Sequence, residues 1–391
     1  MFVTAAKLWD GRQSIERPLV QIEGDRVVSV TSADSAPLPS SSGADVLRFP
    51  SATLAPAFFD VHIHGAAGHD VMEATPEALV AIGRFLATHG TAAYLATTVT
   101  APLNATLRAV SNLAKLIEDP QFLGEDGSPT ARAVGIHLEG PFLSHEKCGV
   151  QQVEHMLAPD IAVFDRICEA AEGKVRLMTV APELPGATEL IRHATSRGVR
   201  ISLGHSDAMS EETRAAIAAG ATSATHTFNA MRALDHREPG ILGTVLTTDS
   251  LYAELICDGI HVAPEMAMLW YRAKGSARGI LVTDAMSATG MPDGEYQLGG
   301  FPVQVANGRA TARGVLAGSV LTLDRALENF ITFTGAPLAD TLPMLTANPV
   351  AMSGFEGAGS LAAGQAANLV ALDESGRLLA ALVNGKVAAL S

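Results

Sequence analysis

Between Thr53 and about Ala347, short apolar β-rich runs alternate with Ala-rich helical segments, and this alternation restricts the fold more than any other feature of the chain. The runs are Phe58–Ile63, Ala93–Thr97, Ala133–His137, Leu177–Val180, Arg200–Leu203, Ser223–Thr225, Tyr252–Ile256 and Ile280–Val282. Helical segments lie between most of them, at Pro76–His89, Leu103–Glu118, Asp160–Ala171, Gly186–Arg197 and Ser210–Gly220. Strands that alternate with helices build a parallel sheet, and eight of them predict an α/β fold of the (β/α)8 TIM-like barrel type.

The flanks have a different texture. Phe2–Thr4, Leu19–Ile22 and Val27–Val30 read as short strands, with turns at Asp10-Gly11 and Gly24-Asp25 and a Ser/Pro-rich loop at Pro37–Gly43. After Ala358, β texture returns in Asn368–Leu372, Leu378–Val383 and Lys386–Leu390, and Asn384-Gly385 is a strong hairpin signal between the last two. The simplest assembly joins residues 1–52 and 351–391 as one small β domain beside a barrel of residues 53–350, and 391 residues are enough for both.

A net charge of −14 argues against a nucleic-acid partner, which needs a basic face, but leaves room for a small anionic ligand held by one or two local Arg or His residues. Three scattered cysteines, Cys148, Cys168 and Cys257, make no disulfide framework and suit a reducing compartment. With no signal-like start and no apolar run of membrane-spanning length, the expectation is a cytoplasmic protein with no membrane partner.

In a barrel of this type, chemistry sits where strands end. The first strand ends in Asp60-Val61-His62-Ile63-His64, and residues two apart on a strand share a face, so His62 and His64 make a half-site for a transition metal. Glu139 follows the third apolar run, just before Gly140-Pro141. His205 lies in Ser202–Asp207, His226 in Thr225–Met231 and Asp284 in Leu281–Ala285. Singly these are weak signals, because a lone strand-end His is more often structural and a lone Asp before a helix is usually a cap. Together they are four imidazoles and two carboxylates on five strand ends, the N/O set that borderline divalent metals prefer. A metal-bound water near an aspartate is the equipment for amide or ester hydrolysis. No Gly-x-Ser-x-Gly elbow, dinucleotide fingerprint or P-loop competes with that reading.

The chain also resembles the amidohydrolase superfamily and, within it, the deacetylases of phosphorylated N-acetyl amino sugars. The motifs are HLEGPF (137–142), LGHSDA (203–208), HTFNAM (226–231), LVTDAMSATGMPDGEYQLGG (281–300) and GVLAGSVLTLD (314–324), spread along nearly the whole chain. The resemblance implies a barrel with a small β-sandwich built from both termini. It implies conversion of N-acetyl-D-glucosamine 6-phosphate to glucosamine 6-phosphate and acetate, with N-acetylgalactosamine 6-phosphate, another N-acyl substrate, or amino-sugar-phosphate binding without catalysis as alternatives. By motif, Glu139, His205 and His226 would hold the principal metal and Asp284 would shuttle the proton. His62 and His64 would complete a second metal position. Zn²⁺ is the first expectation, with Fe, Mn or Co as alternatives and one or two ions per subunit.

Asn229 and Ala230 would face the sugar, and Leu316, Ala317 and Gly318 would approach it. Arg237 and His261 would hold the phosphate, in part across a homodimer. In the loop after Glu139 this chain reads Gly149-Val150-Gln151 where a histidine is usual. Val150 and Gln151 would then lie against the substrate, and either the Gln151 amide is a weaker hydrogen-bond donor to the acetyl carbonyl, a second metal takes over its polarisation, or the substrate differs. Cys148, in the same loop, is read as a thiol without a role. Asn368, where an Asp is common, falls away from the chemistry.

Overall fold

Eight parallel strands stand in sequence order, each hydrogen-bonded to the next. They are β1 (Phe58–Ile63), β2 (Thr91–Thr98), β3 (Arg132–Glu139), β4 (Val175–Val180), β5 (Arg200–Leu203), β6 (Ser223–Ala224), β7 (Tyr252–Ile256) and β8 (Gly279–Val282). A bridge between Ile63 and Ala285 brings the two edges together and closes the barrel. The computed structural model describes residues 1–32, 45–121, 123 and 125–391, so the expected loop at Pro37–Gly43 lies outside the described residues.

Helices α1 (Pro76–Thr88), α2 (Leu103–Glu118), α3 (Ile161–Ala170), α4 (Ala187–Ser196), α5 (Ser210–Ala219), α6 (Gly240–Thr247), α7 (Pro264–Arg278) and α8 (Leu323–Thr334) alternate with the strands. Every residue of β1 and β2 is buried, because one strand face fills the barrel and the other meets the helices. Helix starts carry their own signals. Thr75 accepts the Ala78 N–H ahead of Pro76, and Asp160 accepts the N–H groups of Ala162 and Val163. Trp270 of α7 is fully buried and meets Phe330 of α8 edge-on, with ring centroids 6.0 Å apart.

The termini meet in one further sheet. Val46–Pro56, the last N-terminal strand, pairs antiparallel with Leu369–Leu372, the first C-terminal one. Alternation along Leu369–Leu372 serves two cores. Leu369 and Ala371 pack with Val3, Val20 and Leu54, whereas Val370 and Leu372 join the barrel core. Only Ala57 separates Val46–Pro56 from β1, so this sheet hands the chain directly to the strand that carries His62. Asn384 and Gly385 both take positive φ, 51° and 72°, as the expected two-residue hairpin requires.

One element falls outside the sequence expectations. Between β8 and α8 the chain folds into four short antiparallel strands, Gly294–Leu298, Phe301–Ala306, Arg309–Ala312 and Val315–Leu316. The signal is present in Phe301–Ala306, whose residues alternate buried and exposed, and in the Asn307-Gly308 turn that follows. Val303, Val305 and Ala310 pack against Met286 and Ala317, which fixes this flap over the end of β8.

Candidate active site

All six expected chemical side chains stand at the C-terminal ends of barrel strands. His62 is in β1 and His64 is the residue after it, while Glu139 ends β3. His205, His226 and Asp284 each lie two residues beyond their strands β5, β6 and β8. These three turn the backbone into the left-handed region, with φ of 47°, 27° and 50°. For non-glycine residues that costs on the order of 1–3 kcal/mol each and persists only where the surroundings hold it. Here the Ser144 N–H donates to the His205 carbonyl (3.0 Å), and the Asp284 N–H donates to the His62 carbonyl (2.9 Å). The Asp284 carbonyl accepts from the Ser319 N–H at 2.7 Å. Gly318, at φ +61°, must remain glycine, because a Cβ there would stand 3.0 Å from the same Asp284 carbonyl oxygen.

Glu139 is the centre of the cluster. Its Oε1 is 3.1 Å from the Nε2 atoms of both His205 and His226 and 3.4 Å from Nε2 of His62. Its Oε2 is 3.3 Å from Nε2 of His64. Asp284 Oδ1 lies 3.1 Å from His64 Nε2 and 3.6 Å from His62 Nε2. The second ring nitrogens of three of these imidazoles are committed, while Nδ1 of His226 is buried without a hydrogen-bond partner. Nδ1 of His64 faces the Thr97 carbonyl (3.0 Å), Nδ1 of His205 the Lys147 carbonyl (2.9 Å) and Nδ1 of His62 the Glu254 carboxylate (3.1 Å). Those Nδ1 atoms carry hydrogens, so their Nε2 lone pairs converge on carboxylate oxygens, and something positive must lie between them. Ligands about 2.1 Å from a tetrahedral ion stand roughly 3.4 Å apart, close to the spacings seen here. Two groups that could each hold an ion result, Glu139 with His205 and His226, and His62 with His64 and Asp284. Buried His62 Nε2 has no hydrogen-bond partner, as expected of an atom reserved for a cation.

Without a cation, protons take its place. Burial alone would push the His64 imidazole down, but hydrogen bonds to Asp284 and Glu139 outweigh it and raise the pKa to about 9. Burial alone would raise the Asp284 carboxyl, yet the charge on His62 and the hydrogen bond to His64 hold it down at about 2. Glu139 is likewise held well below its usual range, against its burial, by His62 and His205. A raised imidazole stabilises the fold below its unfolded value of 6.5 and loses that contribution as pH rises through about 9. Chelator-treated protein is therefore expected to lose thermal stability between about pH 6.5 and 9, and reloading with a divalent cation should flatten the profile. Melting curves across that range, with and without chelator, check this.

The cluster floors a cavity of about 310 Å³. Val150, Gln151, Asn229, Ala230, His261, Leu316 and Gly318 line it, as expected from the sequence. Ala317 does not, because it is fully buried in the flap core. Arg237 lies on an exposed loop outside the cavity, with its backbone N–H on Asp235 Oδ1. Gln151 differs from expectation in its engagements. Its Nε2 donates to Glu139 Oε2 at 2.6 Å and its Oε1 accepts the Thr100 N–H at 2.8 Å, so the amide orients the Glu139 carboxylate. Cys148 joins neither ligating group, and its Sγ sits 3.6 Å from the carbonyl of Gly149. Sequence reasoning missed Leu298 and Val315, which the flap contributes to the lining, and Glu254 behind His62. A cavity of similar size at the opposite end of the barrel, beside Arg132 and Arg176, has neither a His nor a carboxylate in its lining.

A parallel barrel with imidazoles and carboxylates converging at its C-terminal rim defines a barrel enzyme equipped to work with a divalent cation. The chain belongs to the amidohydrolase family, whose model matches residues 53–388. It is 38% identical to an N-acetylgalactosamine-6-phosphate deacetylase of Escherichia coli O157:H7, over 86% of this chain and 87% of that protein. It is 36% identical to an N-acetylglucosamine-6-phosphate deacetylase of Lysinibacillus sphaericus, over 85% of each. Among solved structures, a single-residue variant of N-acetyl-D-glucosamine-6-phosphate deacetylase from Mycobacterium smegmatis, in complex with N-acetyl-D-glucosamine-6-phosphate, superposes with a TM-score of 0.90. It is 35% identical and covers 100% of this chain and 99% of that one.

Proposed function

We propose that this chain hydrolyses the acetamide of N-acetyl-D-glucosamine 6-phosphate to D-glucosamine 6-phosphate and acetate. The observation that carries the reading is the Glu139 carboxylate surrounded by four imidazole Nε2 atoms, with Asp284 beside them, at the floor of a cavity. The likeness to the Mycobacterium smegmatis enzyme, solved with that sugar phosphate, supports the choice of substrate.

Glu139, His205 and His226 would hold the principal divalent cation, and His62 and His64, with Asp284 facing them, a second. Zn²⁺ fits this N/O set first, and Fe²⁺, Mn²⁺ and Co²⁺ accept the same donors. Such a cation, when bound, lowers the pKa of a water molecule toward neutrality and polarises the acetyl carbonyl. Asp284 accepts the proton that the attacking water loses and returns it to the amine nitrogen as the C–N bond breaks, because an unprotonated amine leaves poorly. Gln151 keeps Glu139 aimed through its 2.6 Å hydrogen bond. Asn229, Ala230 and the backbone near Leu316 and Gly318 would flank the sugar.

His261 is the phosphate partner within this chain. Burial would lower its pKa, but the 2.7 Å contact between its Nδ1 and Asp258 Oδ2 outweighs burial and raises it, which favours the charged ring that a phosphate needs. Arg237, exposed on its loop, would complete phosphate binding from the neighbouring subunit of a homodimer. Cytoplasmic residence suits the three unpaired cysteines, and no helix among the described residues is long and apolar enough to cross a membrane.

Acetate release from the two N-acetylhexosamine 6-phosphate epimers tests the reading. We expect a higher kcat/KM for the gluco epimer. A preference for the galacto epimer would move the substrate to that named by the Escherichia coli relative. Release from neither would end the deacetylase reading.

A further inference from the structure

Glu254 carries a carboxylate that stands outside the expected site residues. It lies on β7, which contributes no ligand to either ligating group, and its side chain is fully buried. Burying a carboxylate costs several kcal/mol unless a cation or strong donors meet it. Glu254 Oε2 meets two donors, Nδ1 of His62 at 3.1 Å and the backbone N–H of His226 at 3.2 Å, while its buried Oε1 has no hydrogen-bond partner. His62 is the one basic side chain paired with it among the described residues.

From these contacts we infer that Glu254 is a positioning residue that makes His62 a metal ligand and so creates the second cation position. The inference rests on the cation reading given above. A neutral imidazole carries its hydrogen on either nitrogen, and only the Nδ1–H form presents Nε2 as a ligand. Glu254 accepts from Nδ1, which fixes that form and turns Nε2 toward Glu139 Oε1 (3.4 Å) and Asp284 Oδ1 (3.6 Å). Its negative charge also increases the electron density that the ring can donate, as in other carboxylate–histidine–metal arrangements. The His226 amide clamps the same carboxylate oxygen from the neighbouring strand end, so Glu254 cannot swing away from His62. His64 differs, because its Nδ1 is held by a neutral backbone carbonyl.

The test is a pair of variants, Glu254→Gln and Glu254→Leu, read by Zn²⁺ titration against a chromophoric chelator and by elemental analysis. Wild type should bind two ions of unequal affinity. Glu254→Gln keeps an acceptor for the His226 amide but removes the charge, and should weaken only the looser ion, by ten- to a hundredfold. Glu254→Leu, if it folds, should bind one ion, with the tighter affinity retained. A merely structural role would instead weaken both ions together and lower the melting temperature. Wild-type affinities for both ions in Glu254→Gln would overturn the inference, as would a wild type that saturates with one ion. A wild type that takes up no divalent cation would overturn the cation reading itself.

Discussion

Asp284→Asn is expected to lower turnover of N-acetyl-D-glucosamine 6-phosphate by about 10²–10⁴-fold, the range typical of a lost general acid–base. Asparagine nearly preserves shape, so the backbone contacts of this residue should survive. Its backbone N–H on the His62 carbonyl and its carbonyl on the Ser319 N–H do not depend on the side chain. The variant loses a proton acceptor 3.1 Å from His64 Nε2. The ion held by Glu139, His205 and His226 should be retained, because Asp284 belongs to the other ligating group. Acetate release and elemental analysis on one preparation check both halves. Unchanged turnover would remove Asp284 from the chemistry, whereas loss of both ions would make it a ligand first.

The barrel was legible because its strands are short and apolar, with polar residues massed just past their ends. Phe58–Ile63, Arg200–Leu203 and Tyr252–Ile256 coincide with the expected runs, and the candidate ligands His64 and His205 stand just past where the first two stop. The flap escapes the barrel pattern because it interrupts the strand-helix alternation between the motifs at 281–300 and 314–324, although Val303 and Val305 alternate with exposed neighbours as a half-buried strand must. Glu254 was invisible for a different reason. In sequence it is one acid inside an apolar run, and only the closure of the barrel brings β7 behind His62. Gln151 could be read as a departure from the family pattern, but the direction of its amide depends on the loop geometry that puts Thr100 and Glu139 at its two ends. Residues that point along their own strand could thus be found by spacing, while those that act across strands needed the fold.

The second large effect is expected of Glu139→Gln, and it should differ in kind from that of Asp284→Asn. The substitution keeps volume and exchanges one carboxylate oxygen for an NH₂ group. If that group takes the place of Oε1, it points hydrogens at His205, His226 and His62, whose Nε2 atoms lie 3.1–3.4 Å away, and blocks the space a cation would use. If it takes the place of Oε2, it opposes the Gln151 amide that now donates at 2.6 Å, donor against donor. Neither orientation restores the ligand set, so Glu139→Gln should lose the cation it would hold with His205 and His226 and, with it, all measurable acetate release. A ligand at 100 times its dissociation constant stabilises a fold by about 2.7 kcal/mol, so Zn²⁺ should raise the melting temperature of wild type by clearly more than that of the variant. Elemental analysis after dialysis, paired with melting curves with and without Zn²⁺, separates this outcome from simple misfolding. A Glu139→Gln protein that keeps its cations and its turnover would mean that the carboxylate at the convergence of four imidazoles is not what grips the ion, and the reading of the whole site would have to begin elsewhere.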